Sequence, residues 1–371
     1  MELSVEKSVL LKELNLTQGV VERKTTIPIL SNLLLEASDS SLRISATDLE
    51  LGVCCGCSAK IKKAGSGTIP AKRLFDIVRS LPEKDVKLKL LENHWMQVTC
   101  DRASFKLVGM AKDNYPSLPS LPDSLVSLPA SVLSTMIKRT IFSISSEESR
   151  YTLNGALLIL KPDNVAMVAT DGHRLALIER DMEVEGLKNE LRILIPKKAM
   201  AELQRLLAEA EEGAKVGLSK DDSHLYFSMG HRVLISRMLT GQFPNYEAVL
   251  PRENKLVIEI DKGLLSTAIS RVALLADQRS RAVRLKLTDG QMEISSSSGE
   301  FGEAHEELEV GYSGEPMQVG FNYEYLLDFL NVVDEEGKVR LELKDEQSAG
   351  QMRSGEEKTF RYRYVVMPMR V

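Results

Sequence analysis

Hydrophobic and polar positions alternate between two periods along this chain, and the alternation recurs three times. Val86-Lys87-Leu88-Lys89-Leu90, Val283-Arg284-Leu285-Lys286-Leu287 and Val339-Arg340-Leu341-Glu342-Leu343 each place apolar residues at every second position. That period predicts half-buried antiparallel strands. Between such runs the spacing becomes helical. Ala199, Met200, Leu203, Leu206, Leu207 and Ala210 share one helix face, which starts after Pro196 and stops at Gly213, leaving Lys198, Glu202 and Arg205 to the other. Leu74, Ile77, Val78 and Leu81 form the same stripe over 71–81, with Lys72, Arg73 and Arg79 outward. Further helical runs open each repeat, at Val9 to Leu14, Val132 to Ile141 and Leu264 to Leu275.

The repeats can be aligned by their punctuation. Tyr115-Pro116 and Phe243-Pro244 lie 128 positions apart, while Pro70-Ala71-Lys72-Arg73, Pro196-Lys197-Lys198-Ala199 and the helix starting at Asn322 recur every 126. Ile44-Ser45-Ala46-Thr47-Asp48 is echoed by Val168-Ala169-Thr170-Asp171 and, more loosely, by Ile294-Ser295-Ser296-Ser297. A period this long means duplicated domains rather than a solenoid. The expected limits are 1–125, 126–251 and 252–371, with the proline-rich stretch Leu118 to Pro129 as the first junction. Each copy reads as two helices on a curved antiparallel sheet, an α+β arrangement.

Composition narrows the class. With 371 residues, 43% hydrophobic and 27% charged, the chain suits a soluble globular protein of two or three domains. Neither a leader at the amino terminus nor an 18-residue apolar run is present, so a cytoplasmic, non-membrane protein is expected. The net charge of −5 is unevenly spread: +2 over 1–125, −1 over 126–251 and −6 over 252–371. Opposite polarity at the two ends suits a head-to-tail interface between identical subunits; acidic loops such as Asp334-Glu335-Glu336, serving solubility alone, are the simpler explanation. Cys54, Cys55, Cys57 and Cys100 lack the paired knuckles of a structural zinc site and read as reduced thiols on strands.

Two segments could carry chemistry. In Ala169-Thr170-Asp171-Gly172-His173-Arg174-Leu175 the Asp and His could form a base with its orienting carboxylate. No nucleophile on a strained glycine-flanked turn and no phosphate loop accompanies them, and the first repeat keeps Thr47-Asp48 without the His or Arg. A structural role for Thr-Asp, bonding the backbone of a strand-ending turn, is therefore favoured. The other segment is the terminus, Tyr364-Val365-Val366-Met367-Pro368-Met369-Arg370-Val371. Its apolar, methionine-bearing end must be tied down, and Met367 onward exceeds what a core strand needs.

With the threefold repeat, Ala-Thr-Asp-Gly-His-Arg-Leu and the terminal Tyr-Val-Val-Met-Pro-Met-Arg-Val in view, the whole chain resembles the beta subunit of bacterial replicative DNA polymerase, the sliding-clamp family. Thr26-Ile27-Pro28-Ile29-Leu30, Arg150-Tyr151-Thr152-Leu153-Asn154-Gly155 and Gly241-Gln242-Phe243-Pro244-Asn245-Tyr246 match it in order. The resemblance implies three tandem clamp domains per subunit, sheets outside and helices lining a ring. It implies a head-to-tail homodimer around double-stranded DNA, without catalysis or cofactor. Its implied partners are the polymerase catalytic subunit, an ATP-driven clamp loader, and other polymerases and repair proteins that carry short linear motifs. Carried over residue by residue, the partner-peptide pocket holds Leu153, Thr170, Gly172, His173, Arg174, Leu175, Pro244, Val249, Val365, Met367, Pro368, Met369 and Arg370, with Asn322 and Tyr325 at its edge. The implied dimer contacts are Phe105, Leu107, Leu274 and Leu275, with Glu300, Glu303, Glu306 and Glu307 facing basic residues; Ala103 stands where a basic residue is common. The implied DNA contacts are Lys24, Arg73, Arg79, Lys197 and Lys198, whereas Glu147 and Glu148 would repel phosphate. An enzyme using Asp171, His173 and Arg174 on a nucleotide, and a monomeric peptide scaffold, are the competing readings. The stretch Gln347 to Lys358 reads as a mobile surface loop.

Overall fold

The computed structural model describes residues 1–21, 26–147, 149–333, 337–355 and 359–370. Among the described residues are six α-helices: α1 (Lys7–Thr17), α2 (Ala71–Ser80), α3 (Ala130–Thr140), α4 (Lys197–Ala208), α5 (Lys262–Val272) and α6 (Tyr323–Val332). Each repeat opens on one helix and carries a second, as the apolar spacing predicts. Helix α2 buries Ala71, Leu74 and Val78, and α4 buries Ala199, Met200, Leu203, Leu206 and Leu207. Each fully buried large aliphatic side chain contributes roughly 1.5–3 kcal/mol, so one such stripe is enough to hold a short helix on its sheet. Helix α6 has its own start signal, Asn322, whose side chain accepts the Glu324 amide.

One polar position of α4 departs from expectation. Glu202 lies buried, not outward, and its carboxylate occupies the space where any Cβ on Gly19 would sit, within 2.0–2.2 Å. A side chain at position 19 would force this carboxylate out of its place. Burial raises the Glu202 pKa, and Arg205, at 3.4 Å, offsets part of that cost.

The chain divides into two compact units, residues 1–134 with 198–238, and residues 135–197 with 239–371. In the first unit an eight-stranded antiparallel sheet runs Val126–Pro129, Lys215–Lys220, His224–Met229, Arg232–Arg237, Leu51–Ser58, Ser41–Thr47, Asn32–Ser38, Gly65–Pro70. A second sheet of five strands runs Lys60–Lys63, Glu2–Glu6, Asp85–Leu90, Trp95–Cys100, Ala103–Val108. The eight-stranded sheet continues across the expected boundary at 125, through pairs such as Leu51 with Ser236 and Val53 with Leu234. Sequence periodicity shows a strand but not its partner, and so gave no sign of this continuity. A buried ion pair, Arg232 Nη2 to Glu13 Oε1 at 2.5 Å, ties α1 to this sheet.

The second unit repeats the plan. Its eight-stranded sheet runs Leu256–Asp261, Lys338–Leu343, Gly350–Ser354, Arg361–Val366, Arg174–Asp181, Asn164–Thr170, Gly155–Lys161, Leu191–Pro196, and a four-stranded sheet runs Gly302–Glu309, Gln291–Ser298, Ala282–Thr288, Met317–Asn322. Read strand by strand, the two eight-stranded sheets have the same order with different segments of chain. The core here includes Tyr362 and Tyr364, both fully buried and both stacked on Phe329 at 5.4 and 5.3 Å.

All four cysteines are free, three of them on strand Leu51–Ser58 and Cys100 on strand Trp95–Cys100. Burial pushes the Cys57 thiol up to about 11 and Cys55 up as well, with Glu13 adding to both. Such thiols stay protonated and make poor metal ligands. Among the described residues no group of three or more His, Cys, Asp or Glu side chains is placed to hold a metal ion, and no helix is long and apolar enough to cross a membrane. Of the segment 347–358, residues 350–354 form a core-side strand rather than a surface loop, with Gly350, Gln351 and Met352 buried; 356–358 lie outside the described residues.

Candidate functional site

The turn from Thr170 to Arg174 is held by its own side chains. Thr170 Oγ1 donates to Arg174 O at 2.6 Å and accepts from the Gly172 amide at 3.1 Å. Asp171 Oδ1 accepts from the His173 and Arg174 amides, both at 3.0 Å. Gly172 sits at φ +90, a conformation that a side chain disfavours. The structural reading of Thr-Asp thus has its bonds, and the acid–base reading loses its geometry. Asp171 holds the backbone amide of His173, no hydrogen bond joins it to the exposed His173 ring, and its other oxygen is taken by Arg174 Nε at 3.0 Å.

Arg174 is the organising residue. Its side chain is 10% exposed and spends every nitrogen: Nε on Asp171, Nη1 on Asp328 Oδ2 at 2.6 Å, and Nη2 on Phe142 O at 2.6 Å. The guanidinium plane lies over Tyr325 at 4.3 Å and near Phe142 at 5.4 Å. Burial alone would lower its pKa; Tyr364, Asp328 and Asp171 more than compensate, and it stays charged. Asp328 and Phe142 are partners that sequence spacing did not indicate. The signal lay in Tyr325 and Asp328, three apart on α6 and therefore on one helix face.

Beside this charged cluster lies an apolar floor. Leu175, Leu177 and Val365 pack with Phe243, Leu157, Ile159 and Leu194, and Leu239, Tyr246 and Leu250 lean on the same cluster. Leu175 and Val365 are direct cross-strand partners. The segment 243–250 is thereby fixed to this sheet face by Phe243, which leaves Pro244 and Val249 exposed above it. The chain's end makes a lip: Met367 N donates to His173 O at 2.9 Å and Met369 N to Gly320 O at 2.8 Å. Met367 is 43% exposed, Pro368 and Met369 are half-buried, and Arg370 points to solvent. On the far side the turn Tyr151–Leu153 is joined to the site by Arg150, whose Nη1 reaches Asp171 O at 3.0 Å. Asn322 is spent on capping α6 and Tyr325 on Arg174. Val249 and Met367 thus expose apolar surface on segments anchored to this sheet, and the buried cation beside them is already neutralised. This surface can seat aliphatic side chains; the exposed His173 ring has no carboxylate among the described residues to orient it as a base, because both Asp171 oxygens are taken by the turn and by Arg174.

The expected DNA contacts separate into different settings. Arg73 is exposed on α2 and pairs with no carboxylate among the described residues; Arg79 meets Asp76 at 3.4 Å and lies over Phe75. Lys198 pairs with the buried Asp48 carboxylate. Lys197 departs from a free helix-face lysine: its ammonium donates to Ile144 O at 3.2 Å, and burial lowers its pKa. Lys24 and Glu148 lie outside the described residues, and Glu147 is paired with Arg150 at 2.9 Å.

The expected dimer residues lie on open edges. Phe105 and Leu107 are on Ala103–Val108, an edge strand of the five-stranded sheet, and Glu303 is on Gly302–Glu309, an edge strand of the four-stranded one. Leu274 is 79% exposed in the turn Ala273–Leu275, Leu275 is half-buried beside it, and Glu300 and Glu303 are exposed. Glu306 departs from the expected outward charge, since Arg271 holds it within the chain, Nε to Oε2 at 2.8 Å.

Models of the three domains of the DNA polymerase III beta subunit match in order: the N-terminal domain over residues 1–119, the central domain over 127–245 and the C-terminal domain over 247–370. The chain is 36% identical to the beta sliding clamp of Pseudomonas aeruginosa, with both proteins covered in full. Its structure is similar to the crystal structure of the DNA polymerase III subunit beta from that organism, with a TM-score of 0.92 at 35% identity over all of both chains. It is also similar to a sliding clamp from Bartonella birtlesii bound to griselimycin, with a TM-score of 0.93 at 34% identity, again over all of both chains.

Proposed function

The chain belongs to the DNA polymerase III beta-subunit family, the beta sliding clamps, and on that premise we propose that two copies close head to tail around duplex DNA and tether partner proteins through an apolar trough at Arg174. It is a processivity factor of the three-domain clamp fold and has no catalytic role. The observation that carries the tethering reading is the state of Arg174: a buried cation neutralised by Asp171 and Asp328 fixes the turn beside the apolar cluster of Leu175 and Val365, which leaves a surface that can hold a ligand without reacting with it.

The partners in this reading are short linear motifs of the polymerase catalytic subunit, the clamp loader, other polymerases and repair proteins. Two aliphatic anchors in the trough contribute roughly 2 kcal/mol each, and ordering a flexible peptide costs part of that. Modest affinity follows, which suits partners that exchange. The contacts to DNA are equally weak by design. A ring needs only sliding phosphate contacts, so a chain of net charge −5 can hold DNA through Arg73, Arg79 and Lys198, with Lys24 and Lys197 completing the expected set. The domain limits follow the repeat, at 1–125, 126–251 and 252–371.

Head-to-tail closure is supported by two open edge strands, one apolar at Phe105 and Leu107 and one acidic at Glu303, with Leu274 standing 79% exposed. Replacing Leu274 and Leu275 with alanine tests both halves of the proposal. The variant should sediment as a monomer, fail to stay on DNA and bind partner peptide as the wild type does. Folded monomers that lose peptide binding would refute the separation of the two sites.

A further inference from the structure

The turn at Thr47–Leu51 in the first unit repeats the turn at Thr170–Arg174 bond for bond. Thr47 Oγ1 donates to Leu51 O at 2.7 Å and accepts from the Leu49 amide at 3.0 Å; Asp48 Oδ1 accepts from the Glu50 and Leu51 amides at 2.9 and 2.6 Å. The strand leaving the neighbouring repeat adds the same bond in both places, Arg237 N to Glu50 O at 2.8 Å and Met367 N to His173 O at 2.9 Å. Pro116 then stands where Pro244 stands, each after a buried aromatic, Tyr115 or Phe243. The scaffold that frames the Arg174 trough is therefore present twice.

The second frame is hollow. Leu49, Pro116, Leu118, His224 and Arg237 line a cavity of about 300 Å³ with Leu49 48% exposed at its mouth. Its polarity is inverted. The position of the buried Arg174 is held by Leu51, 3% exposed, and the position of the exposed Met367 by Arg237, which is exposed and pairs with no carboxylate among the described residues. Of the nearby carboxylates, Glu50 is exposed on the turn with no ion pair to Arg237, and two others are engaged elsewhere. Asp48 is bonded to the turn amides and to Lys198, and Asp221 accepts from Tyr226 Oη, Ser223 N and His224 N. An aliphatic and prolyl wall with one unneutralised guanidinium at the lip complements an acidic, aliphatic peptide. It does not suit a nucleic acid, which needs a track of cations and stacking rings.

We propose that this groove is a second peptide site, which seats an aliphatic side chain against Leu49, Pro116 and Leu118 and a carboxylate on Arg237. The proposal rests on the reading of the Arg174 trough as a peptide site, and the test separates the two. Acetyl-Glu-Leu-Glu-Leu-amide is titrated calorimetrically into the full-length wild type, Arg237→Glu and Met367→Asp. Two sites per chain are expected in the wild type. Arg237→Glu should weaken one of them at least tenfold, with the retained site showing that the variant is folded, and Met367→Asp should remove the other. A single site lost in Met367→Asp and untouched by Arg237→Glu overturns the second groove alone. A single site lost only in Arg237→Glu upholds it and overturns the reading of the Arg174 trough. A wild type that binds none of the probe overturns the second groove as well.

Discussion

The turns Thr47–Leu51 and Thr170–Arg174 share a backbone and differ in almost every side chain that faces outward. One places glycine at φ +90 and buries an arginine among carboxylates; the other holds Leu49 at φ +80 and buries a leucine. The common part is the set of bonds that a threonine and an aspartate make to their own turn, which depends on the local sequence alone. The part that differs is what a partner would touch. Duplication has preserved a frame and left its contents free to diverge, so function must be argued from the contents.

That contrast can be broken at several points. The largest effect is expected for Arg174→Ala, which strands Asp171 and opens the stack on Tyr325. A loss of about 3 kcal/mol of stability is expected, at the low end for a buried pair because Asp328 is partly exposed. Peptide affinity should fall more than tenfold. Chemical denaturation and calorimetric titration check the two effects, and an unchanged peptide affinity would show that Arg174 only shapes the fold. Exchanging the turn residues comes next. Gly172→Leu should cost about 1–2 kcal/mol for the left-handed backbone, more if the new side chain crowds Arg150 Nη1, which lies 3.0 Å from the Cβ position. Leu49→Gly should stabilise the first turn by less than about 1 kcal/mol, because relief of strain is offset by the flexibility of glycine when unfolded. Equal costs in both directions would contradict the shared geometry.

The smallest effect concerns the hairpin that carries His224. The hydrogen bond from Tyr226, with those from the Ser223 and His224 amides, holds the Asp221 carboxylate down at about 2. A depressed carboxylate adds stability above its unfolded value of 3.8, and that stability is lost as the pH falls towards 2. Asp221→Asn should therefore destabilise the chain at pH 7, by less than about 1 kcal/mol after solvent screening, and be indistinguishable from wild type near pH 2. A deficit that persists at pH 2 would point to lost geometry instead of lost charge.

The same division explains what could be read from the chain. Helices α2 and α4, the strands around Val86, Val283 and Val339, and the Thr-Asp turns all follow from neighbours in sequence and lie where spacing placed them, except that α2 ends at Ser80, before Leu81, and α4 at Ala208, before Ala210 and Gly213. Asp328 was not legible as a partner of Arg174, because 154 residues separate them and only the fold brings α6 against the turn. Glu202 was misplaced because a glutamate on a helix normally faces water; Gly19, at the end of a different helix, leaves the space that buries it. The continuity of the eight-stranded sheets escaped for a related reason. A strand's edge carries no mark of the strand that will pair with it.

Clamp function itself depends on topology, which retention on DNA measures directly. The protein is loaded with a clamp loader and ATP onto a nicked circular duplex, half the sample is linearised, and both halves are passed through gel filtration. A closed sliding ring stays with the circle and is lost from the linear form. Equal retention on both would mean that contacts rather than encirclement hold the DNA, and would contradict the proposed ring.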